Sequence, residues 1–331
     1  MARPTIRDVA KEAGVSTALI SFALNDREGV APATRQRILE IADRLGYQAD
    51  PHARALRTGT TNVYGLVVRN LQNPFFVEVV SGSQAAASAS DATMMVIDSD
   101  YQTEREIEHI QALVTQRVSG LAIAPVGPGA AVERWMELCP GKPTVILNAD
   151  APGLTGVSRV SADNEAAVRL AVEHLVSLGH RRITFLTAPA KLMADHDRLE
   201  LFFQMCQEYD VEPDPRETRL ALDSVYQTVL SLLVGRSKPT AVVTNSDFSA
   251  QAVYLAARTA GLRVGEQLSV VGHDDLPTSA LLDPPLTTLR LDRRAIGHAV
   301  FARLVEDHGL SDHREPVELV VRRSTGHSPS S

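Results

Sequence analysis

The sequence is poor in cysteine, has no long hydrophobic run and lacks the common catalytic signatures, and each shortage narrows what the chain can be. Only Cys139 and Cys206 occur in 331 residues, too few for a disulfide framework. Two buried thiols in a reducing compartment are the plain reading. No apolar stretch approaches the roughly 18 residues of a membrane-spanning helix. Asp8 and Glu12 stand near the N-terminus with no apolar segment behind an early charge, which is not the pattern of a secretory signal. The expected location is therefore the cytoplasm, with no membrane contact. No G-x-S-x-G turn is present, and "DHD" (195–197) and "GHDD" (272–275) lack the spaced His/Cys set that a metal site needs. No catalytic residue, metal ligand or cofactor is expected.

What remains is an ordinary globular composition, 44% hydrophobic and 22% charged. It is long enough for two sizeable domains and a small one. The net charge of −7 argues against a nucleic-acid binder, but its distribution does not. Residues 1–60 carry nine Lys/Arg against seven Asp/Glu, a net of +2, and the rest of the chain a net of −9. A mildly basic head on an acidic body is the kind of asymmetry that marks a nucleic-acid contact.

The head reads as three short helices. Thr5-Ile6-Arg7-Asp8 has capping-box spacing, with Asp in place of Glu or Gln. Ile6, Val9, Ala10 and Ala13 then form one helical stripe. Gly14 permits a tight turn and Ser16 is a good N-cap for a second helix over 17–24, on which Ile20, Ala23 and Leu24 face inward with Val15. Pro32 suits a first helical position, and Ile38, Ile41, Ala42 and Leu45 give a third stripe closed by Gly46. Three such helices, the first two joined by a Gly-containing turn, describe a helix-turn-helix, whose second helix enters the major groove. The outward residues of that helix are then Thr17 and Ala18 for base edges, Ser21 for a phosphate and Phe22 for a thymine methyl. Thr5, Ser16 and Asn25 complete the candidate DNA-contacting set in the head. In "DPHARALRTGTT" (50–61), Asp50 and Pro51 start one to two helical turns, too few to be stable alone. Either this is a plain linker, or it folds on DNA with Leu56 as a minor-groove wedge and Arg54 and Arg57 on phosphates.

From residue 63 short β-rich runs alternate with helical patterns: "VYGLVV", "TMMVID", "GLAIA" and "PTVIL", then "RITFL", "TRLAL" (218–222), "TAVVT" and "LSVVG". This rhythm means parallel sheets. Two halves of about 100 residues suggest two Rossmann-like subdomains with a ligand at the strands' carboxyl ends. An enzyme reading rests on "PVGPGAAV" (125–132), which follows a strand, opens a helix and has Asp150 about twenty residues on, as a dinucleotide site would. Its third glycine position is Val132, however, and Pro128 stiffens the loop, so a tight turn also accounts for it.

"TIRDVAKEAGVSTALISFALN", "GVAPATRQRILEIADRLGY" and "HARALRTGTTNVYGLVV" resemble the DNA-binding head and hinge of the lactose/galactose repressor (LacI/GalR) family of bacterial transcription regulators. The resemblance continues through "NPFF", "RVSGLAI", "LGHRRITFL", "LSVVGHDD" and "DPPLTTLR". It implies a small all-α helix-turn-helix head (1–48), a hinge (49–61) and an α/β periplasmic-binding-protein-like (type I) body of two Rossmann-like subdomains (62–331). The first would hold about 62–160 plus 290–325, the second about 161–289, with the chain crossing between them several times. It further implies a homodimer on pseudo-palindromic double-stranded operator DNA, controlled by a small effector, a sugar or its derivative. Arg198, Asp247 and Asp274 match the family's effector-contacting positions. Asn73, Phe75 and Phe76 would border the cleft from the other half, with Ser99 or Asp100 at the next strand end. A carboxylate there accepts two hydroxyl hydrogen bonds and an arginine donates in a fork. Three positions depart from the family pattern: Phe22 for a frequent arginine, Leu201 for a glycine, and Leu291 for a glutamine near the cleft. The alternatives are a purine-like co-repressor, a cytoplasmic sugar-processing enzyme, which would need no dimeric head, and a plain binding protein, which would lack residues 1–60.

Overall fold

The computed structural model describes residues 4–24, 28–47, 61–149, 151, 153–189, 192, 196–235, 238–306 and 309–329, with His196 by its backbone only. The chain divides into two compact units, residues 1–61 and 62–331.

The first unit holds α1 (Ile6–Ala13), α2 (Thr17–Leu24) and α3 (Pro32–Leu45). Each begins or ends where local chemistry dictates. The Asp8 carboxylate accepts the Thr5 N–H (2.8 Å) and hydroxyl (2.7 Å), closing the N-terminus of α1. Ser16 Oγ accepts the Leu19 N–H at 3.2 Å, capping α2. Gly46 takes the left-handed conformation at φ 64°, so that its own N–H and that of Tyr47 return to Asp43 O and Ala42 O and end α3. Val9, Ala10, Ala13, Ile20, Ala23, Ile38, Ile41 and Ala42 form one buried cluster. An Arg44–Glu12 pair at 2.5 Å ties α3 to α1.

The second unit is built on two six-stranded sheets. In the first lobe β1 (Val63–Val68), β2 (Thr93–Asp98), β3 (Leu121–Ile123), β4 (Thr144–Leu147), β5 (Ser158–Ala162) and β11 (His313–Glu315) stand in the order β11-β5-β4-β3-β1-β2, all parallel. Helices α4 (Pro74–Ser88), α5 (Thr103–Thr115), α6 (Ala130–Leu138) and α11 (Arg293–Val305) cover it. Burial of both sheet faces explains why strands such as VYGLVV read as continuous apolar runs. The seam of this lobe is α4 against α11. The Gly297 backbone lies so close to α4 that an added Cβ would sit 2.1 Å from Val79 O, and Ser83 Oγ donates to Gly297 O at 3.0 Å.

In the second lobe β6 (Arg182–Thr187), β7 (Glu212–Glu217), β8 (Ala241–Val243), β9 (Ser269–Asp274), β10 (Thr287–Arg290) and β12 (Glu318–Val320) take the order β12-β10-β9-β8-β6-β7. Its helices are α7 (Asn164–Ser177), α8 (His196–Glu208), α9 (Leu222–Val234) and α10 (Asp247–Thr259). Two expectations are corrected here. The strand anticipated at 218–222 lies instead at 212–217, where Pro213 and Pro215 disguise it. Glu212 donates to Arg181 O (2.9 Å), so the period of two turns both prolines, which lack an N–H, to the open edge of the sheet. And residues 318–325, assigned with 290–317 to the first subdomain, belong to the second. There β12 pairs antiparallel with β10, and Ser324 Oγ bridges Thr287 N (2.7 Å) and Val270 O (2.6 Å). The chain thus crosses between lobes after β5, after β10 and between β11 and β12.

Candidate functional site

In the first unit, α2 presents Thr17, Ala18 and Phe22 to solvent, Phe22 at 40% exposure. Phe22 is thus a large apolar side chain on the solvent side of a helix only eight residues long. Ser21 does not join them: at 6% exposure it is buried beside Ile20 and Ala23. Because α2 packs on both α1 and α3, its buried arc is wider than a single stripe and takes in the neighbouring position. Thr5 and Ser16 are exposed, each engaged in the helix caps described above. Asn25, Arg54, Leu56 and Arg57 lie outside the described residues.

Between the lobes of the second unit, the carboxyl ends of both sheets converge on one small cavity. It is lined from the first lobe by Arg69, Asn73, Phe75, Phe76, Tyr101, Asn148 and Ala162, and from the second by Arg198, Leu220, Asn245, Ser246, His273 and Asp274. The side chain of Asn73 caps α4 by accepting the Phe75 N–H at 3.0 Å, which sets the edge-to-face Phe75–Phe76 pair into the wall. Arg198, 6% exposed at the start of α8, donates to Asn245 O at 3.0 Å, and Arg69 donates to Asn148 O. Asp274 is 4% exposed, with His273 Nδ1 3.2 Å from its Oδ1. Asn245 Oδ1 is buried with no hydrogen-bond partner among the described residues. Tyr101, Asn148 and Asp274 carry φ of 54°, 50° and 114°, so the strand ends are held in left-handed conformations. Such strain costs of order 1–3 kcal/mol per residue and concentrates at functional sites. The free space is about 20 Å³, room for roughly one water. A larger ligand therefore needs the cavity wall to rearrange.

Five of the eight residues expected around the cleft therefore meet there: Asn73, Phe75, Phe76, Arg198 and Asp274. The other three do not. Ser99 is fully buried and returns its hydroxyl to Val68 O at 3.2 Å, while Asp100 is exposed at the surface near Arg105. Asp247 lies behind the cavity wall, where its carboxylate accepts Leu276 N–H (2.8 Å), Thr288 Oγ1 (2.5 Å) and Ser279 Oγ, tying the turn that follows Asp274 to α10 and β10. Burial first, then the charge of Asp274, pushes its carboxyl up to about 7. Leu291 is 4% exposed in the core of the first lobe, and no amide contact to the cleft arises from that position. Sequence reasoning missed Arg69, Tyr101, Asn148, Asn245 and His273. Each is the last residue of a strand run or lies within three residues of its end, which is the one signal that could have found them.

The glycine turn at 125–129 holds no nucleotide geometry. Its Val126 N–H is already bound by both oxygens of Glu106, at 3.0 and 3.2 Å, and Gly129 serves as the left-handed N-cap of α6. Among the described residues no group of three or more His, Cys, Asp or Glu is placed to hold a metal, and no helix is long and apolar enough to cross a membrane.

A helix-turn-helix unit carried in one chain with a two-lobed body, itself closed over a polar cleft, defines a DNA-binding regulator that answers to a small molecule. Residues 5–50 match bacterial regulatory proteins of the lacI family, and residues 172–325 match the periplasmic binding protein-like domain. The HTH-type transcriptional regulator MalR of Streptomyces coelicolor is 34% identical over 98% of this chain and 97% of its own length, and regulator reg1 of Streptomyces lividans is 36% identical over the same shares. The crystal structure of the lac repressor dimer bound to operator and the anti-inducer ONPF superposes with a TM-score of 0.87 at 28% identity, over 98% of this chain and all of that one. The chain belongs to the LacI family of bacterial transcription regulators. Its relatives are regulators, not enzymes.

Proposed function

We propose that the protein is a cytoplasmic, homodimeric repressor whose grip on a pseudo-palindromic operator is set by a small sugar-like effector in the interlobe cleft. In this reading the head (1–48) reads bases with Thr17, Ala18 and Phe22, supported by Thr5, Ser16 and Asn25. The hinge (49–61) orders on DNA with Leu56 as wedge and Arg54 and Arg57 on phosphates. The body (62–331) binds effector and dimerises. The observation that supports the effector assignment is the convergence of a carboxylate, two guanidiniums and an unsatisfied amide oxygen (Asp274, Arg69, Arg198 and Asn245) with the Phe75–Phe76 wall around one buried cavity. Those groups offer acceptors and forked donors for several hydroxyls beside an apolar face, which is what a pyranose or furanose ring presents. Partners of the lac repressor structure, operator and small molecule together, are those of a switch of this kind. Effector binding and operator binding are then coupled equally in both directions.

The test is calorimetry of the full chain against a panel of mono- and disaccharides with purine bases included. A sugar from the panel should bind, and Asp274→Ala and Arg198→Ala should each weaken it by at least ~1.5 kcal/mol, the lower range for hydrogen bonds to a charged partner. Operator affinity without the sugar should stay near wild type. Unchanged affinity in both variants would place the effector elsewhere, and selective binding of a purine would replace the sugar with a co-repressor.

A further inference from the structure

The crossover from β10 into α11 carries a charged pair that the cleft itself does not use. Arg293 opens α11 in the first lobe, and its guanidinium is nearly buried, at 10% side-chain exposure. One side of it reaches Glu78 on α4, Nη2 to Oε2 at 3.2 Å. The other reaches into the second lobe, where Nη1 donates to Asp274 O and, at 3.3 Å, to Asp275 O. Those two carbonyls belong to a turn in which Asp274 and Asp275 both have positive φ, 114° and 51°. Arg290 and Arg322 also hold this turn, each 2.6 Å from the Asp275 carboxylate; Arg290 ends β10 and Arg322 follows β12, both in the second lobe. Of the three arginines, Arg293 alone comes from the first lobe.

Glu78 stands on the first two turns of α4, whose opening residues Asn73 to Phe76 form the first-lobe wall of the cavity. Asp274 is the second-lobe carboxylate. One planar cation thus joins the helix that carries one wall to the strained turn that carries the other. Only arginine serves there, because its fork donates in two directions at once while a lysine ammonium is a single point. We propose that Arg293 is a positioning residue for the cleft: through Glu78 and the Asp274–Asp275 carbonyls it makes α4 and the effector turn move as one. The inference rests on the cleft being the regulatory site, and it assigns the tie by which the two walls are registered.

The experiment is amide hydrogen exchange on the full chain, read by mass spectrometry over peptides covering 273–279 and 74–80. Glu78→Gln removes the charge in the first lobe without touching the turn in the second. It should accelerate exchange at 273–279 about tenfold, a coupling in the range seen for residues sharing one network. Peptides from β8 should stay at the wild-type rate, which separates the effect from global loosening. Arg293→Met should accelerate both segments, and in its background Glu78→Gln should add nothing. Wild-type exchange at 273–279 in Glu78→Gln would overturn the proposal, as would additive effects of the two substitutions. If Arg293→Met does not fold, the Glu78→Gln comparison decides alone. No ligand enters the measurement, so a failure of the sugar panel leaves this result standing, and unlinked exchange leaves the panel's result standing.

Discussion

Removing the charge of Asp247 while keeping its shape should make the protein less sensitive to alkaline pH. The carboxylate is fully buried and accepts three hydrogen bonds, from Leu276 N, Ser279 Oγ and Thr288 Oγ1. Burial and the nearby charge of Asp274 nevertheless raise its pKa from 3.8 to about 7 in the folded protein. A raised carboxyl pKa means that the native state holds a proton the unfolded chain has lost, so stability falls as pH rises from about 4 through 7. Each unit of difference is worth about 1.36 kcal/mol, which sets a ceiling of about 4 kcal/mol, and about 1.4 kcal/mol of it develops between pH 6 and 8. Asparagine fits the same site. Its oxygen takes the place of Oδ2 toward Leu276 N and Ser279, and its amide N–H donates to Thr288 Oγ1, whose hydroxyl rotates to accept. Urea titrations of wild type and Asp247→Asn at pH 6 and 8 check this. The variant should gain about 1.4 kcal/mol on wild type between the two conditions. Glu106, pushed up to about 8 by burial, acts in the same direction but is common to both proteins and cancels. Parallel pH profiles would refute the linkage and make Asp247 a permanently charged support.

Gly297→Ala should destabilise the body by about 3 kcal/mol or more, since its Cβ would meet Val79 O at 2.1 Å and Ser83 N at 2.7 Å on a neighbouring helix. A thermal melt within a degree of wild type would contradict the α4–α11 seam. Phe22→Ala should relax preference at one symmetric pair of base steps by about 1–3 kcal/mol in assays over a substituted operator set. A loss of head stability without any position-specific change would assign the ring to packing instead. Deleting residues 1–61, a unit compact by itself, should abolish operator binding and leave 62–331 folded. For the intact chain, the log–log salt dependence should have a slope near −0.9 per phosphate neutralised, and a truncated chain that still shifted operator DNA would sink the head assignment.

Much of this architecture could be read from local pattern, and what could not has a common cause. The three head helices announce themselves through caps and stripes, because Ser16, Gly14, Pro32 and Gly46 act on their immediate neighbours. The strand at 212–217 escaped because its identity depends on a partner thirty residues earlier, and its prolines look like loop chemistry until β6 shows which edge they face. The lobe that β12 joins escaped for the same reason. The antiparallel pairing of β12 with β10 is a relation between distant segments that no window of residues contains. The cleft repeats the lesson at the level of single side chains. Asp247 and Asp274 both follow apolar strands and look equivalent in sequence. The first faces β10 and the turn at 276–279, the second the cavity, because Gly272 leaves room for Asp247 Oδ1 where a Cβ would stand 2.0 Å away. Arg293 is the extreme case: nothing in the run "LDRRAI" marks out its first arginine, which is nearly buried and spans two lobes. Residue type and spacing therefore locate the strand ends at which a site of this fold is assembled. Which side chains enter the cavity, and which brace it from behind, is settled only when two sheets that are separate in sequence close on each other.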